Sequence, residues 1–269
     1  ASGYKFNGTN FGNLFGAMED MKYLAGMLAG SRAMMDGNPH VGYMATFPIP
    51  EELRLGNGFA LGVQVTCPEC VVDVRFINTW HDPTIEQEAA KSLFDAGAQV
   101  VMTGADTPAP AIAAPAGKWG ITYDYVYNCT LDTCLTSMYW NWGPQFAKLI
   151  EESMNGTFKG EAIYFDGMDN GLGLLGFMEG EEMMPGTAEL PAEDLQLIRD
   201  TMAKFLSGEM DRFSVFSGPI TDNQGNVVLA EGESLRQVDL DCFATSDSAP
   251  CAGGVGMYWW NQNVTAELP

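Results

Sequence analysis

The chain holds 269 residues, with 35 Asp and Glu against 13 Lys and Arg and a net charge of −22. A field of that sign repels phosphate backbones and argues against nucleic acid as a partner, and a hydrophobic content of 46% rules out a disordered chain. No stretch approaches the ~20 apolar residues of a transmembrane helix, the longest candidate being Tyr23 to Ala29.

In chain order, Leu14, Met18, Met21, Leu24, Ala25 and Leu28 recur at three- and four-residue steps and predict a helix over 11–30 that ends near Gly30. Asp36-Gly37-Asn38-Pro39 is a turn. From Val41 to Asp124, apolar strand candidates alternate with helical patterns: VGYMATF before a helix from Glu51 to Gln64, VDVRFIN before one from Pro83 to Ala96, QVVMTG before one near Pro110 to Gly117, and then GITYD. Such spacing predicts βαβ units and a parallel sheet. Asp82-Pro83 places an N-cap before a proline at the first helical position, with Glu86 and Glu88 favoured at that helix start.

Residues 135–144 lead into a helix ending near Asn155-Gly156. A strand candidate, Ala162 to Phe165, precedes the glycine-rich stretch Gly167 to Gly173, which lacks the Lys and Ser/Thr of a phosphate loop and reads as a tight turn. Leu190 to Leu206 is helical, opened by Pro191 and closed by Ser207-Gly208. Gly218 to Leu229 reads as a β-hairpin turning at Gln224-Gly225. The 16 methionines fall at core-like positions. Ala1 opens without the basic and apolar regions of a signal peptide, which points to processing or to a longer precursor.

Six cysteines form three close pairs: Cys67 with Cys70, Cys129 with Cys134, and Cys242 with Cys251. Disulfides between near neighbours are the simplest pairing and imply an oxidising compartment. A zinc site and a redox-active CxxC compete with that reading; the first needs a second CxxC spacing, and the second needs Cys67 to open a helix. Sequons at Asn7, Asn128, Asn155 and Asn263 agree with an extracellular setting.

In open α/β sheets, ligands sit beyond the carboxyl ends of the strands. Here those ends carry Phe47, Trp80, His81, Asp106, Asp124 and Tyr125, a set suited to a small molecule. Trp80, Trp140, Trp142, Phe47 and Tyr125 could sandwich a planar ligand, and Asp106 and Asp124 could accept hydrogen bonds or do acid/base work. The histidines, His40 and His81, come with no nucleophile motif, and metal spacing of the H-E-x-x-H kind is absent. No catalytic residue, cofactor or metal is expected.

The segments VGYMATFPIPEELRLGNGFALG, NTWHDPTIEQEAAKSLFDAGAQVV, TGADTPAPAIAA, YWNWGPQF and SGPITDNQGNVVLAEGE closely resemble the basic membrane protein family over nearly all of 1–245. These are substrate-binding proteins of ABC transporters with the type I periplasmic-binding fold, an α/β fold with helices on both faces of a parallel sheet. The resemblance implies a purine nucleoside or base held between two lobes. Trp80 would stack on the base, Asp124 would accept hydrogen bonds from ribose hydroxyls or their equivalent, and Asp106 would face the same cleft. Trp140, Asn141, Gly167, Asp169 and Asn170 are further contacts on this reading.

Family members usually begin with two or so βα units ahead of the helix placed here at 11–30. The expected architecture is therefore a partial N-terminal lobe (1–39 and 135–160), a complete α/β lobe (40–134 and 161–180) and a region of helix, hairpin and disulfide-bearing tail (181–269). The implied protein is a non-enzymatic, extracytoplasmic solute-binding protein for ABC-type uptake. Its expected partners are a permease or another chain that completes the N-terminal lobe, and any membrane anchor would lie in a segment before Ala1. The competing reading is a structural or assembly protein of an extracellular complex that keeps the fold without transport. A third reading, an enzyme acting on nucleosides through Asp106 or Asp124, requires turnover.

Overall fold

The structure, a computed structural model, describes residues 6–165, 171–240 and 256–268. Its elements in chain order are β1 (Asn13–Gly16), α1 (Met18–Met35), β2 (His40–Ala45), α2 (Pro50–Thr66), β3 (Val71–Phe76), α3 (Pro83–Asp95), β4 (Val100–Thr103), α4 (Ala109–Ala113) and β5 (Trp119–Asp124). There follow β6 (Cys134–Trp140), α5 (Gly143–Met154), β7 (Ala162–Phe165), β8 (Leu172–Leu174), α6 (Pro185–Ala188), α7 (Ala192–Ser207), α8 (Arg212–Val215), β9 (Ile220–Thr221), β10 (Val227–Leu229) and α9 (Gln237–Leu240).

Six strands form one sheet in the order β3-β2-β4-β5-β6-β8, parallel except for β8, which runs antiparallel to β6. The inner strands β2 and β4 are near-continuous apolar runs because both faces are covered, whereas the edge strand β3 alternates and leaves Val71 and Arg75 exposed. Along β2, Val41, Tyr43 and Ala45 join the core built with α1 and α2, whereas Met44 joins the one built with α3. Gly42 lies on that second face, where a Cβ would press on Leu93 and Val101. On the first face α1 and α2 cross closely: Gly26 meets the Phe59 carbonyl and Gly62 the Tyr23 carbonyl, so a side chain at either position would collide with backbone. At the amino-terminal end of the sheet, the Asp36 carboxylate accepts from Arg32 Nε, Gln99 Nε2 and Trp119 Nε1 at 2.7–2.9 Å, tying the end of α1 to β4 and β5.

One expectation needs correction. The helix expected over 11–30 is instead β1 followed by α1. Residues 13–16 pair in parallel with β7 as a separate two-stranded sheet, and Gly30 lies inside α1, where it packs against Val63 and Cys67. Tertiary packing here outweighs glycine's poor helix propensity. α1 lies on the large sheet beside α2, and β6 is that sheet's fifth strand, paired with β5 over Gly120–Asp124.

The C-terminal part packs on the same layer. Ser31 Oγ donates to Asp194 at 2.6 Å, Phe205 meets Tyr23 edge-on, and the hairpin β9–β10 forms where the sequence places it. Trp260 is fully buried against Gly56 and Phe76, the Asn57 side chain bonds the backbone of Trp259 and Asn261, and Val264 bridges Val72 at the edge of β3. An edge strand is thereby covered.

Cys67–Cys70 and Cys129–Cys134 are disulfides, which removes zinc from those positions; Cys242 and Cys251 lie outside the described residues. Among the described residues no helix is long and apolar enough to cross a membrane, and no cluster of His, Cys, Asp and Glu could hold a metal ion.

Candidate functional site

Because β3, β2, β4, β5 and β6 are parallel neighbours, their carboxyl ends make one edge. Read across the sheet, that edge presents Trp80, Phe47, Asp106, Asp124 and Trp140: two aromatics, two carboxylates, and a third aromatic. Trp80 is 44% exposed, and its ring lies 5.2 Å from that of Phe47 at a tilt of 54°. Two non-glycine residues hold left-handed backbone on this edge, Asn78 (φ 55°) and Asp124 (φ 73°). Asn and Asp tolerate this region better than most residues, and such outliers gather at functional sites.

The loops are held from below. Asp82 caps α3 by accepting from the Thr84 and Ile85 amides, and Glu86 reaches back to the Asp82 amide at 2.9 Å. The other oxygen of buried Glu86 accepts from the Thr107 amide and hydroxyl, so the loop after β3 is fastened to the loop after β4. Asn128 joins the ends of β4 and β5 by donating to the carbonyls of Asp106 and Tyr123. That sequon asparagine is therefore engaged inside the fold. So is Asn263, which is buried and donates to the Ala60 carbonyl.

Carboxylates crowd the middle of the edge. Burial first, then the negative charges of Asp124 and Glu86, push Asp106 up to about 6, with Glu52 adding and His81 opposing. Partial burial also raises Asp124. Beneath them lies fully buried Glu52, raised by its burial, which accepts from the Thr46 amide at 2.8 Å and the Tyr43 hydroxyl at 3.2 Å and presses on Gly104. Partly buried carboxylates of raised pKa are strong acceptors in want of donors.

Asp106 also carries a stability signature. Its folded value lies above the ordinary 3.8, so the stability it contributes is full below that pH and is lost as the pH rises through about 6. Asp106→Asn is expected to raise Tm at about pH 7.5 by a few degrees, on the order of 1 kcal/mol after solvent screening. The gain shrinks between pH 6 and 4 and vanishes below. Scanning calorimetry across this range checks it, and an equal Tm change at every pH would contradict it.

The far end of the edge is aromatic. Trp140 Nε1 donates to the Tyr123 hydroxyl at 3.1 Å, Phe15 meets the Trp140 ring edge-on, and Trp140, Trp142 and Phe146 stack in series with centroid spacings of 4.7 and 5.7 Å. Asn141 is exposed, and its amide donates to the Gly171 carbonyl.

The sequence-predicted residues thus fall into two groups. Trp80, Asp106, Asp124, Trp140 and Asn141 lie at one edge, whereas Gly167, Asp169 and Asn170 lie outside the described residues. Sequence reasoning missed Lys22, Glu52 and Asn128 as parts of the site and read Glu86 only as a helix-start charge. For Lys22 a signal existed: it is a lone cation between Met21 and Tyr23 in an otherwise apolar helix segment.

Residues 1–191 match the family described as ABC transporter substrate-binding protein PnrA-like. A Haloferax volcanii protein, provisionally named a glucose-binding protein of an ABC transporter, is 31% identical over 79% of this chain and 55% of its own length. A purine-binding protein of Brucella abortus is 31% identical over 89% of this chain and 64% of its own. The chain therefore spans a little over half to just under two thirds of these relatives. Two solved ABC transporter solute-binding proteins share the fold. One, from Conexibacter woesei, has a TM-score of 0.57 at 22% identity, covering 78% of this chain and 69% of that one. The other, from Aeropyrum pernix, scores 0.61 at 16% identity, covering 78% and 68%.

Proposed function

The chain belongs to the PnrA-like family of ABC transporter substrate-binding proteins, and on that premise we propose that it captures a purine nucleoside or purine base at the carboxyl edge of its six-stranded sheet. The observation that carries this reading is the order across the edge, with aromatic rings flanking two adjacent carboxylates. On it, Trp80 stacks on the base, Asp124 and Asp106 accept from ribose hydroxyls or ring amines, and Trp140 with Asn141 bounds the far side. Gly167, Asp169 and Asn170, which follow β7 in sequence, are further contacts on this reading. The crowd of Glu52, Glu86, Asp106 and Asp124 selects a neutral or donor-rich ligand and disfavours a nucleotide phosphate.

In this role the protein binds and does not convert its ligand, and a permease is its partner. Substrate-binding proteins of ABC transporters work outside the cytoplasm, a setting in which disulfides such as Cys67–Cys70 persist. A second polypeptide segment opposite this edge, which is the partial-lobe expectation, would close the site; closure would follow from tighter binding to the closed state.

A sugar is the second reading, favoured by the name of the Haloferax relative and by the fact that aromatics and carboxylates also suit a hexose. Mass spectrometry of the natively purified protein tests the proposal. Release of a purine or nucleoside is the expected result, release of a hexose moves the assignment to sugar, and a ligand-free, extensively assembled protein supports the structural reading instead.

A further inference from the structure

Lys22 projects from α1 into the underside of the same edge. It is fully buried, and its ammonium donates to the carbonyl of Thr103, the last residue of β4, at 2.9 Å. It also lies 3.4 Å from Met102 Sδ, 4.2 Å from the centroid of the Tyr123 ring and 5.7 Å from that of Tyr43. Thr103 is three residues before Asp106, and Tyr123 immediately precedes Asp124. One cation thus touches both strands whose ends bear the two carboxylates.

An apolar side chain would fill this space between a methionine and two tyrosine rings without the cost of burying a charge. The charge is therefore what the position supplies. Its charged and titratable neighbours are Glu52 and Glu51 of α2, Asp106, and the phenols of Tyr43 and Tyr123. Those of Asp106 are Asp124, Glu86, His81 and Glu52. We propose that Lys22 is a positioning residue for the ligand edge: its buried ammonium fixes the ends of β4 and β5 from beneath and adds a positive charge under the carboxylates that those ends bear. The ligand role rests on the reading of the edge given above, whereas the charge role does not.

Burial lowers Lys22 to about 8 against the pull of Glu52, Asp106 and Glu51, so the ammonium persists at neutral pH and is lost above it. Removing it should make Asp106 harder to ionise, and the acid limb of ligand binding should move to higher pH. The test is a carbon-13 carboxyl NMR titration of the ligand-free protein, with Asp106 assigned by Asp106→Asn. In Lys22→Met the Asp106 midpoint should rise on the order of one pH unit, and Lys22→Arg should restore it. In the unaltered protein the Asp106 carboxyl resonance should show a second inflection near pH 8 as Lys22 deprotonates. An unchanged midpoint in Lys22→Met overturns the proposal; should that variant fail to fold, absence of the second inflection does so. Titration of adenosine across pH then reads the ligand role. If the unaltered protein binds no adenosine, the purine reading fails while the NMR result still decides what Lys22 does.

Discussion

Glu19→Gln is expected to lower the unfolding free energy by about 3–5 kcal/mol, the scale on which a buried ion pair is broken by loss of one partner. Glu19 is fully buried near the start of α1. One oxygen lies 2.7 Å from Arg212 Nε and the other 3.4 Å from Arg54 Nε, and both arginines are themselves buried. Arg54 belongs to α2 and also donates to the Leu240 carbonyl, while Arg212 opens α8, beyond the residues matched to the family. The carboxylate therefore fastens the C-terminal part of the chain to the α1–α2 layer. Glutamine keeps the shape but removes the charge that two buried guanidiniums share. Denaturant unfolding should show a lower midpoint with an unchanged slope. A loss under about 1 kcal/mol would mean that this cluster does not anchor the C-terminal part.

Much of the fold was legible because punctuation and periodicity agreed. The Asp82-Pro83 start of α3 is observed as expected, with Asp82 accepting from Thr84 and Ile85, and α7 runs from the residue after Pro191 to a left-handed Gly208. α1 was harder because it is buried nearly all round, which leaves no polar face to mark its phase. Leu14 falls in step with that helix by coincidence, while its backbone belongs to a strand whose partner lies about 150 residues away. Residues 135–144 lead into α5 as expected, and only pairing with β5 identifies Cys134–Trp140 as a sheet strand.

Site residues followed the same division. Trp80, Asp106 and Asp124 could be placed at one edge because a parallel sheet brings its strand ends together whatever its details. Glu52 sits on a helix and is indistinguishable in sequence from a solvent-facing charge, and the apolar run around Lys22 marks that residue only as unusual; the sheet beneath makes both buried neighbours of Asp106. Asn128 carried a sequon that drew attention to its surface chemistry, whereas its amide is spent on two strand-end carbonyls.

The second large effect falls on ligand binding. Trp80 is 44% exposed, so Trp80→Ala should cost little stability while removing the stacking face beside Phe47. Base–aromatic stacking contributes about 1–3 kcal/mol, a loss of roughly ten- to a hundredfold in affinity. Asp124→Asn should cost at least as much, because a charged acceptor forms hydrogen bonds of about 1.5–3 kcal/mol each and the amide replaces one oxygen by a donor. The two residues lie on separate strands, so their effects should be close to additive. Calorimetric titration of the protein with adenosine and guanosine at about pH 7.5, with glucose and adenosine monophosphate as competitors, tests the central claim most directly. The account predicts one-site nucleoside binding that the phosphate ester fails to displace, weakened at least tenfold by Trp80→Ala and again by Asp124→Asn; nucleoside binding unchanged in both variants, or binding of glucose alone, would contradict it.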